Sequence, residues 1–549
     1  ERGRLSVKFG RMRNDANEVD ARGYLTGGIG DGVAGDIALM FRKSGGYIKN
    51  VLTGGSMGGS QVASVRSQLL IEPTDNIEVI FMGAYVDANE DTMVQQPFEG
   101  NTAAKSLPGY IPVKGAWEGA VNTTPFNNYN RLDLSFRTKV DLGPVNLETT
   151  SAFTKTNIDQ VGDSDASNLL LGYTNMQVHP EIYTHEMRLL SNTKSRLTWL
   201  AGLYFYHLDG SQPVIVATRR VFSDPNTFGT TALDPKVRTV SWAGFAEGTY
   251  ELTDQLFFTG GIRYTKETRK FSQSVNGKLL FPFVTSDFDK FTYRVALRYQ
   301  FTDTANVYAS YGTGFKSGVY NTFGTSPVAV KPENLKAGEI GFKADPQSWL
   351  RINGAAYYYD YTDMQVNGRN ADNSFTLQNA ASSEIYGGEL EVTAVPIDDL
   401  NIRGAVAYNH ARYKEFLKGQ VYFPQPQGGN IVTDADVSGK NVVRAPEYTL
   451  NLGVNYGFDV GSGRGSISTN IFHSGKVYYD FRNIFQQGAY TMVSAELGWT
   501  TANEKVRYTL FVNNLTNAKV AQQISSAALG SYIIYERPRR VGVGMDVNF

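Results

Sequence analysis

Two short stretches carry the spelling of catalytic motifs. GGSMG at 54 to 58 has the G-x-S-x-G spacing of a nucleophile elbow, and GDGVAG at 30 to 35 has the G-x-G-x-x-G spacing of a dinucleotide loop. Each chemistry needs a strand before the motif and a helix after it. Ser56 lies instead in a Gly-rich connection and a strand follows Gly35, so the first reads as a flexible loop and the second as a hairpin turn. The five histidines, His179, His185, His207, His410 and His473, show no metal-ligand spacing, and the chain has no cysteine for a thiolate site or a disulfide. Asn514-Leu515-Thr516 spells a glycosylation acceptor but reads as a strand end. No catalytic group, cofactor or metal site is expected, and the protein is not read as an enzyme.

What remains is the chemistry of recognition. Aromatic residues stand beside cations in long connections: Tyr110 and Trp117; Phe315 with Lys316 and Tyr320; Tyr478 and Tyr479 with Arg482. Such groups stack on a flat ligand and pair with its negative charge. The alternative role for each is to pack loop against loop or to sit in an aromatic belt.

These connections need a rigid frame, and the frame is legible as alternation. FTYRVALRYQF, 291 to 301, puts Phe291, Tyr293, Val295, Leu297, Tyr299 and Phe301 on one face. YTLNLGVNYGF, 448 to 458, repeats the pattern, as do RLDLSFRTKV, QLFFTGGIRY and KVRYTLFV. About 22 such segments of roughly 9 to 15 residues run along the chain. Short turns recur at 30 to 32, 73 to 76, 141 to 144, 191 to 195, 252 to 255, 301 to 304, 345 to 348, 396 to 399, 460 to 463 and 500 to 504. Longer connections, notably 88 to 125, 209 to 236 and 417 to 443, separate them. The pattern predicts an all-β fold: a transmembrane antiparallel β-barrel of about 22 strands with short periplasmic turns and long extracellular loops, spanning 1 to 549 as one domain.

The charges choose this over a soluble sandwich or propeller. The inward parity carries Arg137, Lys139, Glu247, Arg263, Arg294, Arg298, Glu339, Glu389, Glu391, Arg403 and Arg507, while the apolar parity is nearly free of charge. An Arg or Lys facing mid-bilayer lipid costs about 2 to 4 kcal/mol. Trp199 and Trp499 beside short turns, with Trp242 near the opposite strand end, suit two interfacial belts. Overall, 52 Lys and Arg balance 53 Asp and Glu, so nothing points to nucleic acid as a partner.

VYASYGTGFKSGVYN (307 to 321), KPENLKAGEIGFKAD (331 to 345), GIRYT (261 to 265), HEMRLLS (185 to 191), FVNNLTNAKV (511 to 520) and the final Phe549 resemble the barrel of TonB-dependent outer-membrane receptors. The resemblance implies a multi-pass protein of the Gram-negative outer membrane, in contact with its lipid and lipopolysaccharide. It implies import of a scarce ligand, a ferric siderophore or other iron complex, with cobalamin, haem and oligosaccharide as other cargoes. It also implies that Phe549 is an assembly signal read by the barrel-assembly machinery and that the last strand pairs with the first near Arg4 to Phe9. Family members carry an N-terminal plug through which the TonB complex delivers energy. This sequence starts at about the first barrel strand, so Glu1 is expected to mark a boundary inside a longer protein. Arg263, Arg294, Arg298, Glu339, Glu389, Glu391 and Arg507 are then expected to face the lumen and the plug. A passive porin-like channel, and a surface receptor or scaffold of an envelope assembly, are the competing functions.

Overall fold

A computed structural model describes residues 2–91, 94–193, 195–220, 224–369 and 375–549. Among the described residues, 22 antiparallel strands form one closed barrel, from Arg2–Arg11 to Arg540–Asn548. Successive barrel strands are hydrogen-bonded neighbours. The last pairs with the first from Arg4 against Asn548 to Arg11 against Val541. Closure leaves no unpaired edge in a medium that cannot hydrogen-bond to one. Phe549 completes the seam: its N–H donates to the Gly3 carbonyl at 3.0 Å and its carbonyl accepts from the Gly3 N–H at 2.7 Å. Its ring lies where a Cβ on residue 3 would stand, so a larger residue there would displace the ring.

The alternation produces the expected sidedness. In Lys278–Thr302, Phe291, Tyr293, Val295, Leu297 and Phe301 are all exposed on one face. Tyr448, Leu450, Leu452 and Tyr456 repeat this in Tyr448–Val460, and Val541, Val543 and Met545 in the last strand. Exposed apolar groups on so many adjacent strands form a continuous outer surface suited to hydrocarbon. Trp199, Trp349 and Trp499 stand by the short turns, and Trp242, which is 60% exposed, packs at 4.4 Å on Phe205 higher up the wall.

All ten short turns lie at one end. The other end carries 45–59, 91–125, 164–171, 317–332, 416–447, 475–489 and 514–539. The expected loop at 209 to 236 is a correction. Leu197–Ser211 and Asp224–Glu251 run far beyond the membrane as paired strands, in register from Leu197 opposite Tyr250 to Ser211 opposite Lys236. Val214–Arg220 adds a further strand, hydrogen-bonded to both Gly172–Ser191 and Asp224–Glu251. One face of the extended strand stays buried, with Leu233, Pro235, Thr239 and Ser241, while Lys236 and Arg238 on the other face are exposed.

Candidate functional site

The long loops pack into a roof with its own small cores. One unites Met12, Ala16, Tyr47, Ile48, Met57, Val94 and Trp117 from three loops. A second joins Ala103 and Ala104 to Ala166, Leu171 and Tyr532, and a third gathers Phe485 with Ala521, Ile524 and Ile533. Two short sheets tie the roof together: Gln96–Thr102 with Gly530–Tyr535 and Ala521–Ala527, and Ile48–Asn50 with Ser56–Met57 and Glu118–Gly119. Side chains cross-link distant loops. Asn101 donates to Asn430 Oδ1 at 2.9 Å, and Asn430 donates to the Ala527 carbonyl at 2.7 Å. The motif residue Ser56 belongs to one of these sheets, with no helix after it.

The aromatic and cationic candidates fall into two groups. Trp117 is 2% exposed, and its Nε1–H donates to the Glu536 carbonyl at 2.7 Å. Tyr320 is also buried, stacked on Phe271 at 5.0 Å and hydrogen-bonded to Ser286 at 2.8 Å. Both were expected to meet ligand; in this arrangement Trp117 ties two loops together and Tyr320 ties its loop to two wall strands. Arg482 is likewise engaged, donating to the Tyr422 carbonyl at 2.9 Å and lying 3.9 Å over the Phe423 ring. Tyr479 donates to the Ala521 carbonyl at 2.9 Å, and burial raises its phenol above the ordinary value. Tyr110 packs against the second loop core, with its phenol also raised by burial. Lys316 keeps an exposed side chain, its ammonium 3.4 Å from the buried Glu333 carboxylate, with Phe315 half-buried next to it. Tyr478 is half-buried, with the Lys476 ammonium 5.6 Å over its ring.

A buried acidic pair stands at the base of loop 164–171. Burial, and then the neighbouring Asp165, push the Asp163 carboxyl up to about 7. Burial raises Asp165 too, although Ser167, Leu171 and Gly172 all donate to it. Tyr532, across the loop boundary, is almost wholly buried and held well above the usual phenol range by desolvation.

Below the roof, the interior wall is polar and charged. Arg263 lies over the rings of Tyr204 and Phe245 at 5.5 and 5.4 Å. Arg294 pairs with Glu247 at 3.5 Å, Arg298 lies 4.1 Å over Phe257, and Arg507 pairs with Glu496 at 2.9 Å. Glu339 accepts from the Tyr308 hydroxyl at 2.7 Å. Glu389 and Glu391 stand exposed on the parity opposite to Leu390. Near the seam a cavity of about 910 Å³ is lined by Arg4, Lys8, Arg22, Arg66, Arg507 and Arg540 with Asp20, Glu496 and Asp546. The basic groups outnumber the acidic ones there.

Sequence reasoning placed Arg507 in the lumen but missed the rest of this basic sector, whose members come from both chain ends. It also missed the inner-wall pair Tyr357 and Tyr359, stacked at 4.9 Å. Their signal was present in YYYDY, 357 to 361, where only every second ring points inward.

Comparison with known proteins agrees with this architecture. The pesticin receptor of Yersinia pestis is 24% identical over 314 residues, covering 56% of this chain and 43% of that protein. The ferrichrome outer membrane transporter/phage receptor of Escherichia coli is 25% identical over 234 residues, covering 42% of this chain and 28% of that protein. The chain thus spans less than half the length of the curated relatives it matches. Among solved structures, the ferric yersiniabactin uptake receptor of Yersinia pestis superposes with a TM-score of 0.83 at 18% identity, over 100% of this chain and 80% of that one. The siderophore receptor PiuA of Acinetobacter baumannii gives 0.77 at 14% identity, over 100% and 82%. The family profile "TonB dependent receptor-like, beta-barrel" matches residues 74–515. A closed, multi-pass outer-membrane barrel with a loop roof and a charged interior, matched over most of its length, belongs to the TonB-dependent receptor β-barrel family.

Proposed function

We propose that this chain is the barrel of an outer-membrane importer of a ferric siderophore. The ligand is captured at the loop roof and passes down the charged interior at the expense of energy delivered by the TonB complex. The observation that carries the reading is the pairing of that roof with an interior whose charged groups include the exposed carboxylates of Glu389 and Glu391 and a basic sector. A wall of this kind suits a docked polar plug, because charge facing a protein surface needs partners. The relatives named above, together with a rhizobactin receptor of Rhizobium meliloti, support that cargo class. Lys316, Phe315 and Tyr478 are the sequence candidates that keep exposed or partly exposed surface, so they are the first residues assigned to ligand contact. The role is binding and transport rather than catalysis. Contact with lipopolysaccharide and recognition of Phe549 by the assembly machinery belong to the same reading.

The test is uptake of iron-labelled siderophores by cells that lack other ferric receptors and express the full-length protein, with and without a protonophore. Saturable accumulation abolished by the protonophore is expected. Accumulation that persists without the proton gradient would make the barrel a passive channel, and no accumulation across a broad panel would leave only a surface role.

A further inference from the structure

The outer wall contains a break in its apolar surface. Across adjacent strands the register runs Ser67 opposite Gly83, Gly83 opposite Leu134, Phe136 opposite Ser151, and Ser151 opposite His185. These residues share the outward parity with exposed Phe81, Leu134, Phe136 and Tyr183. Small and polar side chains here replace the branched and aromatic ones found along the rest of this face. The result is a groove of about 700 Å³ on the lipid side. Two tilted ring pairs line it, Phe81 with Phe136 at 4.8 Å and Phe153 with Tyr183 at 4.7 Å.

Its polar groups are not all satisfied. Ser67 donates to the Asp36 carbonyl at 2.8 Å, and Ser151 Oγ bonds His185 Nδ1 at 2.9 Å. Among the described residues, no protein atom bonds His185 Nε2, and the side chain is exposed. His185 lies six residues above Ser191, the last residue of its strand. At about 3.3 Å per residue and a tilt near 40°, that places it ~15 Å above the turn, inside an apolar band ~25 Å tall. A nitrogen left there without a partner is costly, and hydrocarbon offers none.

We propose that this groove is a lipid site, which takes one acyl chain of an outer-membrane lipid bearing a hydroxyl or ester oxygen along the chain. The rings and Gly83 receive the hydrocarbon, and His185 Nε2 pairs with the oxygen. A plain acyl chain fits the same walls but leaves the histidine unmatched, so the site selects hydroxyacyl or acyloxyacyl chains. The volume is within the range of sites that enclose a small ligand. This inference depends on the sidedness of the barrel and not on what the barrel imports.

The test uses the full-length protein extracted from native membranes in polymer nanodiscs, washed with detergent, with the retained lipid identified by mass spectrometry. Gly83→Leu fills the groove; a Cβ at residue 83 meets only Leu134 Cδ2, at an ordinary 3.7 Å, so the barrel tolerates a side chain there. His185→Leu removes the polar partner and His185→Gln restores a donor. Wild type and His185→Gln should retain a lipid with an oxygenated chain, and Gly83→Leu and His185→Leu should each lower retention at least tenfold, with gel mobility before and after heating showing all four barrels folded. Exchange of the washed wild type into phosphatidylethanolamine vesicles with or without lipopolysaccharide tests the occupant: an oxygenated chain should be retained only where lipopolysaccharide is present, and equal retention of a plain phosphatidylethanolamine chain in its presence overturns the selectivity. Equal retention in all variants overturns the proposal. So does cross-linking between cysteines at Phe136 of two copies, which would show a second barrel in the groove.

Discussion

Replacing Trp117 with alanine should open the roof and leave the barrel standing. The indole is 2% exposed among Tyr47, Ile48, Met57 and Val94, and its N–H is bonded to the Glu536 carbonyl at 2.7 Å. Truncating a buried tryptophan costs about 3 to 5 kcal/mol, and the lost hydrogen bond adds about 1 kcal/mol. The backbone modifies this total. Residue 117 has φ 59°, a left-handed conformation that costs an L-residue roughly 1 to 2 kcal/mol and that alanine retains. Glycine relieves that strain, so Trp117→Gly should be milder than Trp117→Ala by about 1 kcal/mol despite removing more atoms. A loss of ~4 kcal/mol corresponds to a factor of about 10³ in the opening equilibrium. Hydrogen exchange should therefore accelerate by about three decades within 48–57 and 94–121 for the alanine variant. The barrel ladders should exchange as before, because none of their pairings passes through Trp117. Unchanged loop exchange, or a fall in the unfolding temperature of the whole barrel, would refute the picture of a roof with its own cooperative core.

Other outcomes follow from the same contacts. Asp163 has a folded pKa raised to about 7, so the stability it contributes to loop 164–171 is fully present below about pH 4 and is lost as pH rises through 7; protection of that loop relative to the base-catalysed intrinsic exchange rate should fall from pH 5 to 8, and Asp163→Asn should flatten that profile. Glu18, 3% exposed, is paired with both Arg537, at 2.9 Å, and Arg540; Glu18→Gln leaves two arginines without their counter-ion and should cost about 3 to 5 kcal/mol, read as a lower temperature for the heat-induced shift in gel mobility. Deleting Phe549 should lower the amount of assembled barrel in cells while refolding into detergent proceeds with little change, since the residue adds only its terminal contacts with Gly3.

How much was legible depends on which solvent each segment meets. In FTYRVALRYQF the period of two survives because Tyr293 and Leu297 face hydrocarbon while Arg294 and Arg298 face the interior, so a single substitution on either side is penalised. The same logic exposed the turns, while the pairing of the last strand with the first was implied by the family resemblance. Residues 224 to 236 failed that test because their Pro, Thr and Asn content reads as loop, although the strand pairs there and buries Leu233 and Pro235. The roof was less legible still. Trp117 meets Glu536 and Asn101 meets Asn430 across hundreds of residues, contacts with no period to announce them. Aromatics beside cations looked like ligand platforms, and the packing partners of Trp117, Tyr320 and Arg482 in the roof and upper wall were not announced by their spacing.

Everything above rests on which side of the wall meets hydrocarbon. Spin labels placed singly at Tyr293, Leu297, Leu452 and Val543, and at Arg294, Arg298 and Arg507, in the full-length protein reconstituted into lipid, measure this through collision with oxygen and with an aqueous nickel chelate. The first four should collide with oxygen and be shielded from nickel, and the last three should show no such lipid signature. Outer positions shielded from both reagents, as in a sealed globular interior, or the two sets exchanged, would contradict the account.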